Sequence, residues 1–133
     1  MLSHTTTIRV RYADTDQMGI VYYAKYLEYF EVARTEFLRM MGLPYRSLEE
    51  SGYMLPVADA SVKYFKGATY DDDLLVTASL EPQNSPRLPI TYTIRRASDD
   101  ALIAEGSTTL VFTDKQTGRP VRPPKSYLDA VGK

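Results

Sequence analysis

Only one stretch of this 133-residue chain carries a sustained helical period, and four segments with the composition of strands follow it. From about Tyr23 to Met41, the apolar residues Leu27, Phe30, Ala33, Phe37 and Met41 recur at steps of three and four. Glu28, Glu31, Thr35 and Arg39 fall elsewhere around the same helix. Gly42 stops the helix and Pro44 reinforces the stop. A helix with one apolar stripe must bury that stripe, and the rest of the chain offers a sheet to bury it on.

The strand signals begin before the helix. Thr5, Thr7, Arg9 and Arg11 alternate at period two with Thr6, Ile8, Val10 and Tyr12. After the helix, Ser47 with Glu50 three residues on suggests a short helical turn around 46–52. Leu55 to Phe65, Leu74 to Leu80, Leu88 to Arg96 and Leu102 to Asp114 are then rich in Val, Ile, Thr and Tyr. Turn-formers separate them: Lys66-Gly67, Asp71 to Asp73, Gln83 to Pro86 and Ser98 to Asp100. The last three strands are joined by connections short enough for antiparallel neighbours. Ser126 to Val131 suggests a final turn. The expectation is an α+β domain spanning 1–133, with a five-stranded antiparallel sheet wrapped on a helix roughly 27 Å long. Such a sheet keeps an edge and part of its surface open, which pairing with a second copy would cover, so an oligomer is expected.

Composition excludes several function classes. Sixteen Lys and Arg stand against 17 Asp and Glu, so the basic excess of a duplex nucleic-acid binder is missing. No apolar run approaches membrane-spanning length, and residues 1–10 lack the apolar core of a secretory signal, which makes the cytoplasm the expected compartment. With no Cys and a single His4, placed in a polar N-terminal stretch expected to be mobile, Ser-His and Cys-His relays and the usual zinc sites are hard to assemble. Acid–base or nucleophilic chemistry then falls to Asp, Glu, Lys or Tyr. No metal and no cofactor is expected.

Asp14 and Asp16 are the first candidates. Both have an ordinary explanation in turn formation, since Asp accepts hydrogen bonds from backbone N–H groups two or three residues on. Gly19 and a helix start follow them, however, and the unpaired N–H groups of a helix start can stabilise a developing oxyanion within reach of a carboxylate. Tyr22, Tyr23, Tyr26 and Tyr29 cluster there, among 11 tyrosines in a chain without Trp, and suit a half-buried slot or interface. Glu31 is expected to sit near Arg34 at i,i+3. Lys63, Lys66, Arg87, Arg119 and Arg122 are scattered cations available to an anionic ligand.

These residues carry a resemblance. YADTDQMGIVYYAKYLEYFEVAR, residues 12–34, resembles the signature of the 4-hydroxybenzoyl-CoA thioesterase family of hotdog-fold acyl-CoA thioesterases. Tyr70-Asp71-Asp72 with Leu74, and Ala104-Glu105-Gly106 through Val111, resemble further pieces of that family, so the likeness covers about residues 7–114. It implies a hotdog fold and hydrolysis of an acyl- or aroyl-CoA thioester to the free acid and CoA. It makes Asp16 the catalytic carboxylate and the backbone N–H of Tyr23 the donor to the thioester carbonyl oxygen. Gly19, Val21, Tyr22 and Tyr26 become substrate-binding residues, and active sites form between subunits of a homodimer, pairing further into a homotetramer. Many acyl-CoA members carry His at the position of Tyr23 and Asn at that of Lys25. The family's basic cluster for CoA phosphates falls here on Asn84, Ser85 and Pro86, so the nucleotide must be held by other residues.

Asp16 has two chemical routes: direct attack to a mixed anhydride, or activation of a water as general base. The alternative from another class is a hotdog protein that binds acyl-CoA or an acyl chain without turning it over. A dehydratase is a third reading, though that chemistry generally relies on an active-site His.

Overall fold

The computed structural model describes residues 1–132. Five strands form one antiparallel sheet: β1 (Leu2–Arg9), β3 (Val57–Tyr64), β4 (Asp73–Leu80), β5 (Arg87–Arg96) and β6 (Leu102–Val111), in the order β1-β4-β5-β6-β3. The helix α1 (Lys25–Met40) packs on one face of it. Two-residue strands β2 (Tyr53–Met54) and β7 (Thr113–Asp114) pair beside the main sheet, and short helices α2 (Tyr45–Glu50) and α3 (Lys125–Val131) complete the chain. Among the described residues, no helix is long and apolar enough to cross a membrane.

Alternation at period two builds the core. Leu74, Val76, Ala78 and Leu80 of β4, and Leu88, Ile90, Tyr92 and Ile94 of β5, are all buried, while the residues between them are not. Onto this face α1 lowers Tyr26, Tyr29, Phe30, Ala33, Phe37 and Leu38. Phe30 stacks on Tyr92 at 4.3 Å between ring centroids, nearly parallel at 10°. The Tyr92 hydroxyl shares a 2.7 Å hydrogen bond with Thr108, so its polar tip does not go unpaired in the core.

Several expectations are corrected. The helix starts at Lys25, which leaves Tyr23 in the turn before it. Leu27 is 41% exposed and Tyr26 and Tyr29 take its place in the buried stripe, because the sheet lies under the tyrosine side of the first turn. Glu31 forms no ion pair with Arg34 among the described residues; the guanidinium instead donates to the Tyr92 hydroxyl at 3.4 Å. The short helix α2 begins after Pro44, whose carbonyl takes the Ser47 hydroxyl, so Ser47 lies inside it rather than capping it. The segment 102–114 divides into β6 and β7. His4 is not in a loose tail: it pairs opposite Ala78 in β1 and stacks on Phe37 at 6.4 Å. Tyr12 leaves the inward row of β1, being 78% exposed in the turn 12–14.

Gly106 marks a close approach of helix and sheet. A Cβ built there would meet the Ser61 carbonyl oxygen and would lie 2.5 Å and 2.7 Å from the Phe30 ring atoms Cε2 and Cζ. Both neighbours are fixed, one by the β3–β6 ladder and the other by its stack on Tyr92. Gly106→Ala is therefore expected to lower the unfolding free energy by ~2 kcal/mol, within the range for overpacked cores. Urea denaturation followed by far-UV circular dichroism measures it, and an unchanged midpoint would contradict this packing.

Candidate active site

The chain leaves β1 through a 3-10 turn, Tyr12–Asp14, that swings the Asp14 side chain under α1. Asp14 is 2% exposed, and its carboxylate accepts from the Tyr29 hydroxyl at 2.8 Å, the Arg11 guanidinium at 3.0 Å and the Arg11 backbone N–H at 3.3 Å. The Lys25 ammonium lies 3.9 Å away. The Asp14 backbone carbonyl accepts from the Tyr22 N–H at 2.8 Å. One residue thus ties the end of β1, the acidic loop and the first turns of α1 together. Burial pushes the Asp14 carboxyl up, but the Tyr29 and Arg11 hydrogen bonds outweigh it and hold the group below the usual carboxylate range. Burial, then the Asp14 carboxylate, pushes the Tyr29 hydroxyl far up, so it stays a proton donor.

Asp16 starts a tight reversal. Its N–H donates to the Ile20 carbonyl at 2.9 Å and its carbonyl accepts from the Gly19 N–H at 2.9 Å. Gly19 has φ +80°, a left-handed conformation that suits glycine. Asp16 Oδ1 accepts from the Met18 N–H at 2.8 Å, an Asx turn, while Oδ2 has no hydrogen-bond partner among the described residues. The returning arm is held by a Thr15–Val21 bridge, an Ile20–Thr69 bridge and a 2.9 Å bond from the Val21 N–H to the Ala68 carbonyl. Gly67 permits this approach, since a Cβ there would lie 2.8 Å from Ile20 Cγ2.

Between the acidic loop, the start of α1 and the segment after β3 lies a cleft of about 270 Å³. Asp16, Ile20, Val21, Tyr23 and Tyr26 line one side of it, and Tyr64, Phe65, Lys66 and Gly67 the other. Tyr64 spans the two sides: its hydroxyl donates to the Tyr23 carbonyl at 2.9 Å and its ring meets Tyr26 edge-on at 5.4 Å. The Tyr22 carbonyl, in the same peptide unit as the Tyr23 N–H, accepts from the Lys25 N–H at 2.9 Å. The peptides on both sides of Tyr23 are therefore held, and no acceptor among the described residues takes the Tyr23 N–H itself.

Of the residues singled out in the sequence, Asp16, Val21, Tyr23 and Tyr26 come together here. Gly19 shapes the turn but does not line the cleft, and neither does Tyr22, whose ring packs on Tyr23 at 4.7 Å. Asp14 faces the interior instead. Lys66, one of the scattered cations available to an anionic ligand, also lines the cleft, whereas Tyr64, Phe65 and Gly67 are residues that sequence reasoning misses; their signal is two aromatics directly before Lys66-Gly67 at a strand end. Among the described residues no group of three or more His, Cys, Asp or Glu is arranged to hold a metal.

With this geometry, the chain belongs to the thioesterase-like superfamily, whose family model matches residues 10–131, and its fold is the hotdog fold. The Bacillus subtilis protein YneP is 34% identical over 92% of this chain and 88% of its own length. The acyl-CoA thioester hydrolase YbgC of Escherichia coli O157:H7 is 32% identical, over 91% of this chain and 90% of that one. Among solved structures, the DHNA-CoA thioesterase of Staphylococcus aureus superposes with a TM-score of 0.92 at 31% identity, covering 99% of this chain and 90% of that one.

The depressed Asp14 pKa makes a signed prediction. A carboxyl whose pKa is lower folded than unfolded adds stability that is fully present above its unfolded value, near ~3.9, and is lost as pH falls through the folded value. Asp14→Asn should therefore cost about 1–3 kcal/mol at neutral pH, and the gap from wild type should shrink as the pH drops below that unfolded value. Denaturant melts across pH measure this, and a gap independent of pH would contradict the assignment.

Proposed function

We propose that this protein hydrolyses an acyl- or aroyl-CoA thioester to the free acid and CoA, with Asp16 as the catalytic carboxylate and the Tyr23 N–H as the oxyanion donor. The observation that carries the proposal is that Asp16 and Tyr23 face one cleft, from a loop and a turn each fixed by hydrogen bonds. The names of the YbgC and Staphylococcus aureus relatives support the reaction.

The thioester carbonyl would point at the unpaired Tyr23 N–H, where a preorganised donor stabilises negative charge as it forms. Asp16 Oδ2, free of the Asx turn, would attack the carbonyl carbon or take a proton from a water that does. Val21 and Tyr26 would bound the acyl group, and Gly19 and Tyr22 would meet the substrate outside the cleft. We also propose that two copies pair through β3, an eight-residue edge strand exposed along most of its length, and that pairs associate into tetramers. A cytoplasmic setting completes this reading.

A second reading has one observation in its favour: Asp16 Oδ1 already serves the turn, as in a loop that only shapes a binding slot. Thiol release from a panel of acyl-CoA and aroyl-CoA thioesters separates the two. A hydrolase releases thiol, whereas a pure binder gains thermal stability from ligand and releases none. Asp16→Asn is expected to lower kcat by about 10²- to 10⁴-fold with circular dichroism unchanged. Near-normal turnover in that variant would remove Asp16 from its role. In heavy-oxygen water under single turnover, label entering Asp16 indicates the covalent route, and label confined to the product acid indicates the base.

A further inference from the structure

The cleft is too small for the whole of the proposed substrate. Sites that enclose a drug-sized ligand run from about 300 to 1,000 Å³, and this one holds about 270 Å³. That volume does not take a nucleotide beside an acyl thioester, so the phosphate-bearing part of the thiol must leave the cleft over its rim.

The cations of this half of the molecule are unevenly committed. Elsewhere around the acidic loop and the sheet, Arg9, Arg11, Lys25 and Arg96 each hold a carboxylate: Asp73, Asp14, Glu28 and Asp72 respectively. Lys66 lines the cleft itself, beside Phe65 and opposite Asp16, and forms no ion pair among the described residues. It lends only a weak field to Asp99, whose carboxylate is held by the Ala101 N–H and by Arg96. Lys63 stands across the ladder from Glu105 without an ion pair among the described residues, and its ammonium lies 5.5 Å from the centroid of the Phe65 ring. The backbone beneath them is rigid, since the N–H groups of Phe65 and Lys66 both donate to the Ile103 carbonyl, at 2.9 Å and 3.2 Å.

We propose that Lys66, with Lys63 beside it, binds the phosphate groups of the nucleotide end of the thioester as it leaves the cleft. This rests on the reading of the protein as an acyl-CoA hydrolase. An exposed lysine suits such a contact, because a compact charge on a flexible stem follows a mobile diphosphate without a fixed geometry. The lysines act on binding, because the reacting carbonyl is assigned to Asp16 and the Tyr23 N–H. They also discriminate by carrier, favouring a phosphate-bearing thiol over a short neutral one.

The test compares the double variant K63E/K66E with wild type on two thioesters of the same acyl group, one on CoA and one on N-acetylcysteamine, which has no phosphate. The variant should raise KM for the CoA ester by about tenfold or more, the scale of one lost charge-assisted contact. Any loss of kcat/KM on the N-acetylcysteamine ester should be at least about tenfold smaller than the loss on the CoA ester. Equal losses on both esters, or none on either, would overturn the proposal. Calorimetric titration with CoA supplies a readout without turnover. Wild type that binds CoA about tenfold more tightly than the variant supports the lysines even if no thioester is hydrolysed, an outcome that would sink the hydrolase reading alone. Equal CoA affinity in the two proteins, or no CoA binding by wild type, overturns the proposal. Asp16→Asn, tested on the CoA ester in parallel, reports on the catalytic assignment separately.

Discussion

The buried carboxylate of Asp14 is the constraint on which the site depends. An ionised group with this little exposure must be compensated, and its hydrogen-bond partners come from two places: Arg11, just past the end of β1, through its guanidinium and its backbone N–H, and Tyr29 of α1. Satisfying it fixes how the loop enters the helix. The Asp14 carbonyl continues the restraint by holding the Tyr22 N–H, one residue before Tyr23, which lines the cleft. Asp14 therefore positions the residues around Tyr23 and Asp16 while contributing no atom to the cleft lining.

Two glycines set the distances across which that chemistry is arranged. Gly106 lets the Phe30 ring lie against the sheet, which sets the depth of α1. Gly67 lets Ile20 approach the segment after β3, which brings the second wall against the acidic loop. Both act through a missing side chain rather than through a special backbone angle. Tyr64 then closes the cleft by bonding from β3 to the Tyr23 carbonyl. Because β3 is also an edge of the sheet, the wall of the cleft and the surface proposed to pair with a second copy are the same element.

Much of this was legible in the residues. The strand segments after the helix and the antiparallel neighbours β4, β5 and β6 follow from alternation and turn chemistry, which act over a few residues. The helix is legible too, but period alone starts it two residues early and turns Leu27 inward, because four tyrosines near the start blur the apolar stripe. Tyr is apolar along its ring and polar at its tip, so only knowledge of what lies beneath decides which tyrosines go in. Asp14 and Asp16 show the same limit. Spacing presents them as a pair, yet one faces the interior and the other lines the cleft, because Asp14 closes the 3-10 turn while Asp16, beyond the extended Thr15, starts the reversal to Ile20.

What the sequence by itself determined is local: one amphipathic helix, strands of period two, an acidic turn with glycine at its end, and a chain without the histidine and cysteine that other hydrolytic devices need. The tertiary structure alone decided that β3 lies beside β6, that residues 64–67 face Asp16, and that Lys66 stands at the rim. Period and turn propensity arise from neighbours along the chain, and so can be read from order. The cleft joins residues about 50 positions apart, and their meeting is set by how large side chains and absent ones share the space between helix and sheet.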